Sequence, residues 1–212
     1  KGFLLGRITI DDVVDVIQQE AEQTLRSMAG LSNEEMFSPI ITSTKRRALW
    51  LGINLLTAFL GAWVIGRFED TIQQLVALAI LMPVVAGMGG IAGSQTLTIA
   101  IRGIALGHIA KTNIKPLLIK ELSIGILNGI FWSSVVAIIV IIWFGQFSLG
   151  IIIGASMIIN LIIAALAGAT IPIILKHYGI DPAIAGGVIL TTVTDVVGFI
   201  TFLGLATIFL IG

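Results

Sequence analysis

Cysteine is absent from the 212 residues, and with it go disulfides, thiolate metal sites and cysteine nucleophiles. Charge is scarce, at 11% of residues, against about 25% in an ordinary soluble domain. Basic and acidic residues balance at 12 each. Zero net charge, with the bases in loops and not on one continuous face, argues against nucleic acid as a partner. The two histidines, His108 and His177, are isolated and lack the spacing of zinc ligands. No nucleophile–base pair, P-loop or nucleotide fingerprint occurs, so the chain does not read as an enzyme. No signal peptide is visible, because the first 44 residues are polar and carry most of the acids. What the chain has in abundance is apolar surface: 57% of its residues are hydrophobic and the mean hydropathy is +1.07. A water-soluble globule has no use for that much, so lipid is the expected solvent.

The first 44 residues differ from the rest. Gly2 to Ile10 reads as a short strand. Thr9 is placed to cap a helix that begins near Asp11 and runs to about Ala29, with Gly30 as its stop. Asp11, Asp15 and Glu22 share one face of that helix, while Val13, Val14, Val16 and Ile17 offer apolar contacts. A solvated acidic face and a divalent-cation or docking stripe both fit this pattern. A linker follows, ending at Pro39. The chain begins at Lys1 and reads as part of a longer protein.

Five apolar stretches follow, near Ala48–Gly66, Thr71–Ile101, Leu117–Phe144, Leu149–Leu175 and Ala183–Ile211. Each exceeds or approaches the ~20 residues that span a bilayer. The expected fold class is therefore an all-α integral membrane protein with five transmembrane helices. The second stretch is overlong and interrupted by Pro83, Gly87, Gly89, Gly90 and Gly93, so a bent or partly broken helix is expected there. Lys45, Arg46 and Arg47 precede the first span, while Arg102, Lys111, Lys115 and Lys120 lie between or beside the second and third. Lys176 lies between the fourth and fifth. The positive-inside rule places the N-terminus and these loops in the cytoplasm of a cell that carries the protein in its plasma or inner membrane.

Asp195 is the outstanding residue. It sits near the middle of the fifth stretch with no base near it in sequence. An ionised carboxylate at mid-bilayer costs several kcal/mol unless it meets water, a cation or a partner. An ion path or a proton site is the default reading, and a hydrogen bond from a protonated Asp to a neighbouring helix is the alternative. Thr191 and Gly198 share its face. The second feature is the run Pro83 to Gln95, whose proline frees a carbonyl and whose glycines permit close approach. Such carbonyls suit hard cations such as Mg²⁺, although glycines also serve tight helix crossings. Asn160, Ala164, Gly168 and Pro172 recur at four-residue spacing and read as a helix-packing seam. Asn54 and Asn128 are further polar groups within spans. Glu121, beside Lys120 at a membrane boundary, reads as a local pair or loop contact.

These motifs carry a resemblance. Pro83 to Gln95, Asp181-Pro-Ala and Thr194-Asp-Val-Val-Gly198, in that order within five spans, resemble the signature of the MgtE family of magnesium channels. Phe68-Glu69 also fits. Gly6 to Ile17 resembles the end of a cystathionine-β-synthase (CBS) domain running into that family's plug helix. The resemblance implies residues 1–10 as the end of a CBS-like domain. It implies residues 11–44 as a cytoplasmic acidic connecting helix and linker, and residues 45–212 as the five-helix ion-conducting domain. It implies a homodimer with a central pore that passes Mg²⁺, with lipid and divalent cations as the other partners. The implied pore residues are Asp195, Thr191, Gly87 and Gly90. Asp11, Asp12 and Asp15 match the plug-helix region where cytosolic Mg²⁺ closes the pore, so Mg²⁺ would be both cargo and regulator. An H⁺- or Na⁺-coupled transporter or exporter of Mg²⁺ or another divalent ion is the alternative. Two positions depart from the family: Ile91 stands where Asn is usual, which removes a polar pore ligand and bears on selectivity, and Gly187 stands where many relatives have a polar residue.

Overall fold

The structure is a computed structural model that describes residues 7–31, 38–110 and 112–211. In chain order its helices are α1 (Ile10–Met28), α2 (Ile40–Gly66), α3 (Glu69–Gln74), α4 (Ala77–Ala105), α5 (Ile114–Phe144), α6 (Phe147–His177) and α7 (Pro182–Ala206). A π-helical turn, Thr207–Ile211, extends α7. Among the described residues all regular structure is helical. Five segments are long and apolar enough to cross a membrane: α2, α4, α5, α6 and Pro182–Leu210. The chain divides into two compact units, Lys1–Leu51 and Gly52–Gly212, and α2 contributes to both.

In the first unit, residues 2–6 of the expected strand lie outside the described residues. Arg7 to Thr9 have no regular structure, and Ile10 opens α1. Asp12, at the third helical position, accepts the Thr9 backbone N–H at 2.8 Å and the Thr9 hydroxyl at 2.6 Å. These bonds close the first turn of α1. The Thr9 hydroxyl, then its N–H, hold the Asp12 carboxyl below the usual carboxylate range. Val13, Val14, Val16 and Ile17 are exposed, so among the described residues nothing covers the apolar face expected to make contacts. Gly30 ends the helix as expected, with φ +70°. It lies against the indole of Trp50, whose Cδ1 would be 2.8 Å from a Cβ added at Gly30.

Helix α2 begins at Ile40, eight residues before its apolar run. Thr42 and Ser43 donate their N–H groups to the Pro39 carbonyl. The good helix formers Lys45, Arg46 and Arg47 then carry the helix through a polar, exposed turn. The second apolar stretch does break, but not at Pro83. The break falls at Leu75, whose backbone is extended between α3 and α4. Pro83 stands inside a continuous α4. It takes only the usual helical donor from the Ala79 carbonyl, a loss that membrane helices tolerate where neighbours pack around them.

In the second unit α6 is the central helix and packs against α4, α5 and α7. Leu149, Ile153, Met157, Asn160, Leu161 and Ala164 on it are buried. Its contact with α5 is a seam of small residues. A Cβ at Gly125 would meet the Ala165 Cβ at 2.9 Å, and one at Gly129 would meet the Ile158 Cα at 3.4 Å. Backbones that approach this closely gain dispersion contact where no hydrophobic effect drives association. Gly145, at φ +68°, caps α5 and turns the chain into α6. At that same end Leu78, Leu81, Val85, Val140, Leu149, Phe202 and Leu203 belong to one apolar core. The Asp181 carboxylate caps α7 by accepting the Ala183 N–H at 2.9 Å, with Pro182 at the first helical position. The Asp-Pro-Ala motif therefore starts a helix.

Candidate functional site

Helices α4 and α7 lie side by side on α6, and their register can be read from their glycines. A Cβ at Gly93 would strike Leu190 and one at Gly186 would approach Leu97, while one at Gly198 would approach Val85. These pairs define an antiparallel register in which Asp195 stands level with Met88 and Thr191 with Ala92. The structure thus brings together, at one depth, the fifth-span carboxylate and the glycine-rich run. At 1.5 Å per residue Asp195 lies about 20 Å from the start of α7, near its middle.

The two helices present an open face. Gly87, Ile91, Ser94 and Thr98 on α4, and Ile184 and Thr191 on α7, are exposed, with Gly90 and Asp195 partly so. A Cβ at Gly87, Gly90 or Gly187 would meet nothing within 4 Å, so space lies in front of them. The Ser94 hydroxyl donates to the Gly90 carbonyl at 2.8 Å and Thr98 to Ser94 at 2.8 Å. Thr191 donates to Gly187 at 3.0 Å. With their protons turned back on their own helices, these hydroxyls offer lone pairs outward. Among the described residues the Asp195 carboxylate has neither a hydrogen-bond donor nor a cation. The hydrogen bond to a neighbouring helix is therefore not made. The face is an oxygen-bearing strip with one acid, a donor set that suits a hard cation.

Asn160 carries more than a packing seam. It is fully buried, and its amide nitrogen donates to the Val85 carbonyl at 2.9 Å. A Cβ at Gly89 would overlap that amide, and one at Gly198 would lie 2.9 Å from its nitrogen. Asn160 thus sits between the helices that carry the open face. The sequence signal was present, an amide at mid-span, but its partners depend on packing. Glu121 is a correction. It is 2% exposed, and among the described residues it makes no local pair. The Thr96 hydroxyl donates to its Oε2 at 3.1 Å from α4, while Oε1 has no partner. Gly125, one turn on, faces α6, so the same face of α5 carries Glu121 inward.

The acidic residues of α1 are not assembled in this way. Asp11 and Asp15 are exposed, Asp12 is engaged by Thr9, and Glu22 pairs with Arg26 at 2.7 Å. Among the described residues no three His, Cys, Asp or Glu side chains group as metal ligands would.

Comparison with known proteins bears on the same region. The family model MgtE, divalent cation transporter, matches residues 82–205, which contain both the glycine-rich run and Asp195. A protein of Bacillus subtilis strain 168 called magnesium transporter MgtE is 36% identical over 210 residues, covering 99% of this chain and 47% of its own length. Proteins of the same name from Enterococcus faecalis and Thermus thermophilus are 30% and 29% identical over 98% and 99% of the chain. The chain spans about half the length of these relatives. With five apolar helices it is a multi-pass protein of the cell membrane, and it belongs to the MgtE family of divalent cation transporters.

Proposed function

We propose that the chain carries Mg²⁺ across the membrane through a channel-like pore formed by two copies. The carrying observation is Asp195: a mid-membrane carboxylate with no partner among the described residues, on an open strip level with Gly87–Gly90. A second copy facing that strip would enclose a path with two Asp195 carboxylates, the Thr191 and Ser94 oxygens and the backbone of Gly87 and Gly90. Mg²⁺ gives up its water reluctantly, so it passes hydrated and is attracted through its waters. The basic loops support a cytoplasmic N-terminus. An inside-negative potential then supplies about 4.6 kcal/mol per 100 mV for a divalent ion, and no ATP site is needed. In this reading Asp11, Asp12 and Asp15 are the sites where cytosolic Mg²⁺ draws acidic surfaces together and closes the pore. At low Mg²⁺ they repel and it opens.

Potential-driven Mg²⁺ uptake into proteoliposomes tests the reading. Uptake is expected in the wild type and lost in Asp195→Asn; full uptake by that variant would remove Asp195 from the path. One observation favours a second reading. Glu121 is a further carboxyl within the membrane segment, and two such groups suit an H⁺- or Na⁺-coupled carrier. Flux that requires an imposed H⁺ or Na⁺ gradient would select it.

A further inference from the structure

We propose that Asn160 is a positioning residue: a polar wedge that sets the spacing of α4 and α7 beside Asp195, and through it which divalent cation passes. The inference rests on the pore reading given above. Three contacts carry it. The Asn160 side chain is 0% exposed at the centre of α6 and bonds the Val85 carbonyl of α4 at 2.9 Å. A carbonyl only accepts, so the amide nitrogen must face it. On the α4 side the amide fills the place where Gly89 would carry a Cβ, and on the α7 side it lies against Gly198. Each pore-side helix therefore gives up a side chain at the point where this amide enters.

The wedge lies at the depth of the acid. Gly198 is three residues from Asp195 on α7, and Gly89 adjoins Met88, which stands level with Asp195. Moving the amide moves both walls at that level and leaves the ends of the helices where they are. The other amide oxygen, Oδ1, is buried without a partner. An apolar side chain of similar size would avoid that orphaned group, so packing alone does not account for an asparagine here. The directed bond to Val85 does, because it holds α4 at one distance and one rotation. The spacing of Asp195 from the backbone of Gly87 and Gly90 then follows from α6, although α6 itself contributes nothing to the open face.

The test uses the full chain in proteoliposomes and reads two quantities. The first is the Mg²⁺ to Ca²⁺ flux ratio. The second is the dipolar broadening between nitroxide labels on Val84→Cys and Ile200→Cys, exposed positions on α4 and α7 beside Val85 and Gly198 in a chain without native cysteine. Asn160→Leu keeps the bulk and removes the bond. It is expected to shift the flux ratio about threefold or more, the factor that one interhelical hydrogen bond in a bilayer represents, and to change the broadening. Gly89→Ala should push the labels apart and abolish flux, and adding Asn160→Ala should restore the label spacing by vacating the collision. A folded, monodisperse Asn160→Leu with wild-type flux ratio and label spacing would overturn the proposal, as would a Gly89→Ala defect that Asn160→Ala leaves unrelieved. If the wild type passes no Mg²⁺ at all, it is the transport reading that fails. The labels then decide the wedge alone: spacing that follows residue 160 supports it, and spacing that does not refutes it.

Discussion

Gly168→Ala should separate α4 from α6. A Cβ at Gly168 would lie 2.6 Å from the Gly93 carbonyl oxygen, 2.9 Å from the Thr96 Cβ and 3.1 Å from the Leu97 nitrogen. Two of these atoms are backbone, so no rotamer change relieves the overlap. A carbon and a carbonyl oxygen sit comfortably at about 3.3–3.6 Å, and the helices must part by several tenths of an ångström or more. Overpacking of this kind costs about 1–3 kcal/mol. For a chain of this size that lowers the melting temperature by roughly 2–12 °C. Gly204→Ala is the control. It also lies in a helix, but a Cβ there meets nothing within 4 Å, so better helix propensity leaves the melting temperature unchanged or raised. The assay is thermal unfolding of detergent-solubilised protein followed by size exclusion. Equal melting temperatures for Gly168→Ala and Gly204→Ala would refute the close approach of α4 and α6.

Other outcomes follow from single contacts. Thr96→Val takes the donor from Glu121 Oε2 and leaves both oxygens of a buried carboxyl without one. The expected cost is about 1–3 kcal/mol, while Thr96→Ser, which keeps the hydroxyl, should lose less; thermal unfolding of the two variants distinguishes them. At α1 the Asp12 carboxyl is held low by the Thr9 hydroxyl. Its contribution is therefore complete above the ordinary aspartate value of about 3.9 and is lost as pH falls through the lower folded value. Protection of the amides at the start of α1, measured against intrinsic exchange at each pH, should fall only in acid. Thr9→Val should move the Asp12 titration, followed by NMR, back up toward the ordinary range, and an unmoved titration would rule out the hydroxyl as the cause.

Several features were legible in the sequence because they are local. Span number, the break in polarity after residue 44 and the isolation of Asp195 depend on hydropathy and charge along the chain, which the bilayer reads residue by residue. The stop at Gly30 is likewise a matter of nearby backbone groups. The start of α2 at Ile40 was less legible, since a polar helical turn has no apolar signature. The break at Leu75 also escaped, because proline is the louder signal and membrane packing silences it at Pro83.

Tertiary structure alone decided which glycines are contacts and which are openings. Gly89, Gly93, Gly168 and Gly198 are filled by other helices, while Gly87, Gly90 and Gly187 face open space. Identical residues in one run take opposite roles because adjacent helix positions point about 100° apart and only some directions hold a neighbour. The same reason buried Glu121 against Thr96 and placed Asn160 between two helices far from it in sequence. The sequence by itself determined that a carboxylate lies within the membrane. The fit of small residues between α4, α6 and α7 determined what stands beside it, because which faces meet is set by volume across helices and is written in none of them singly.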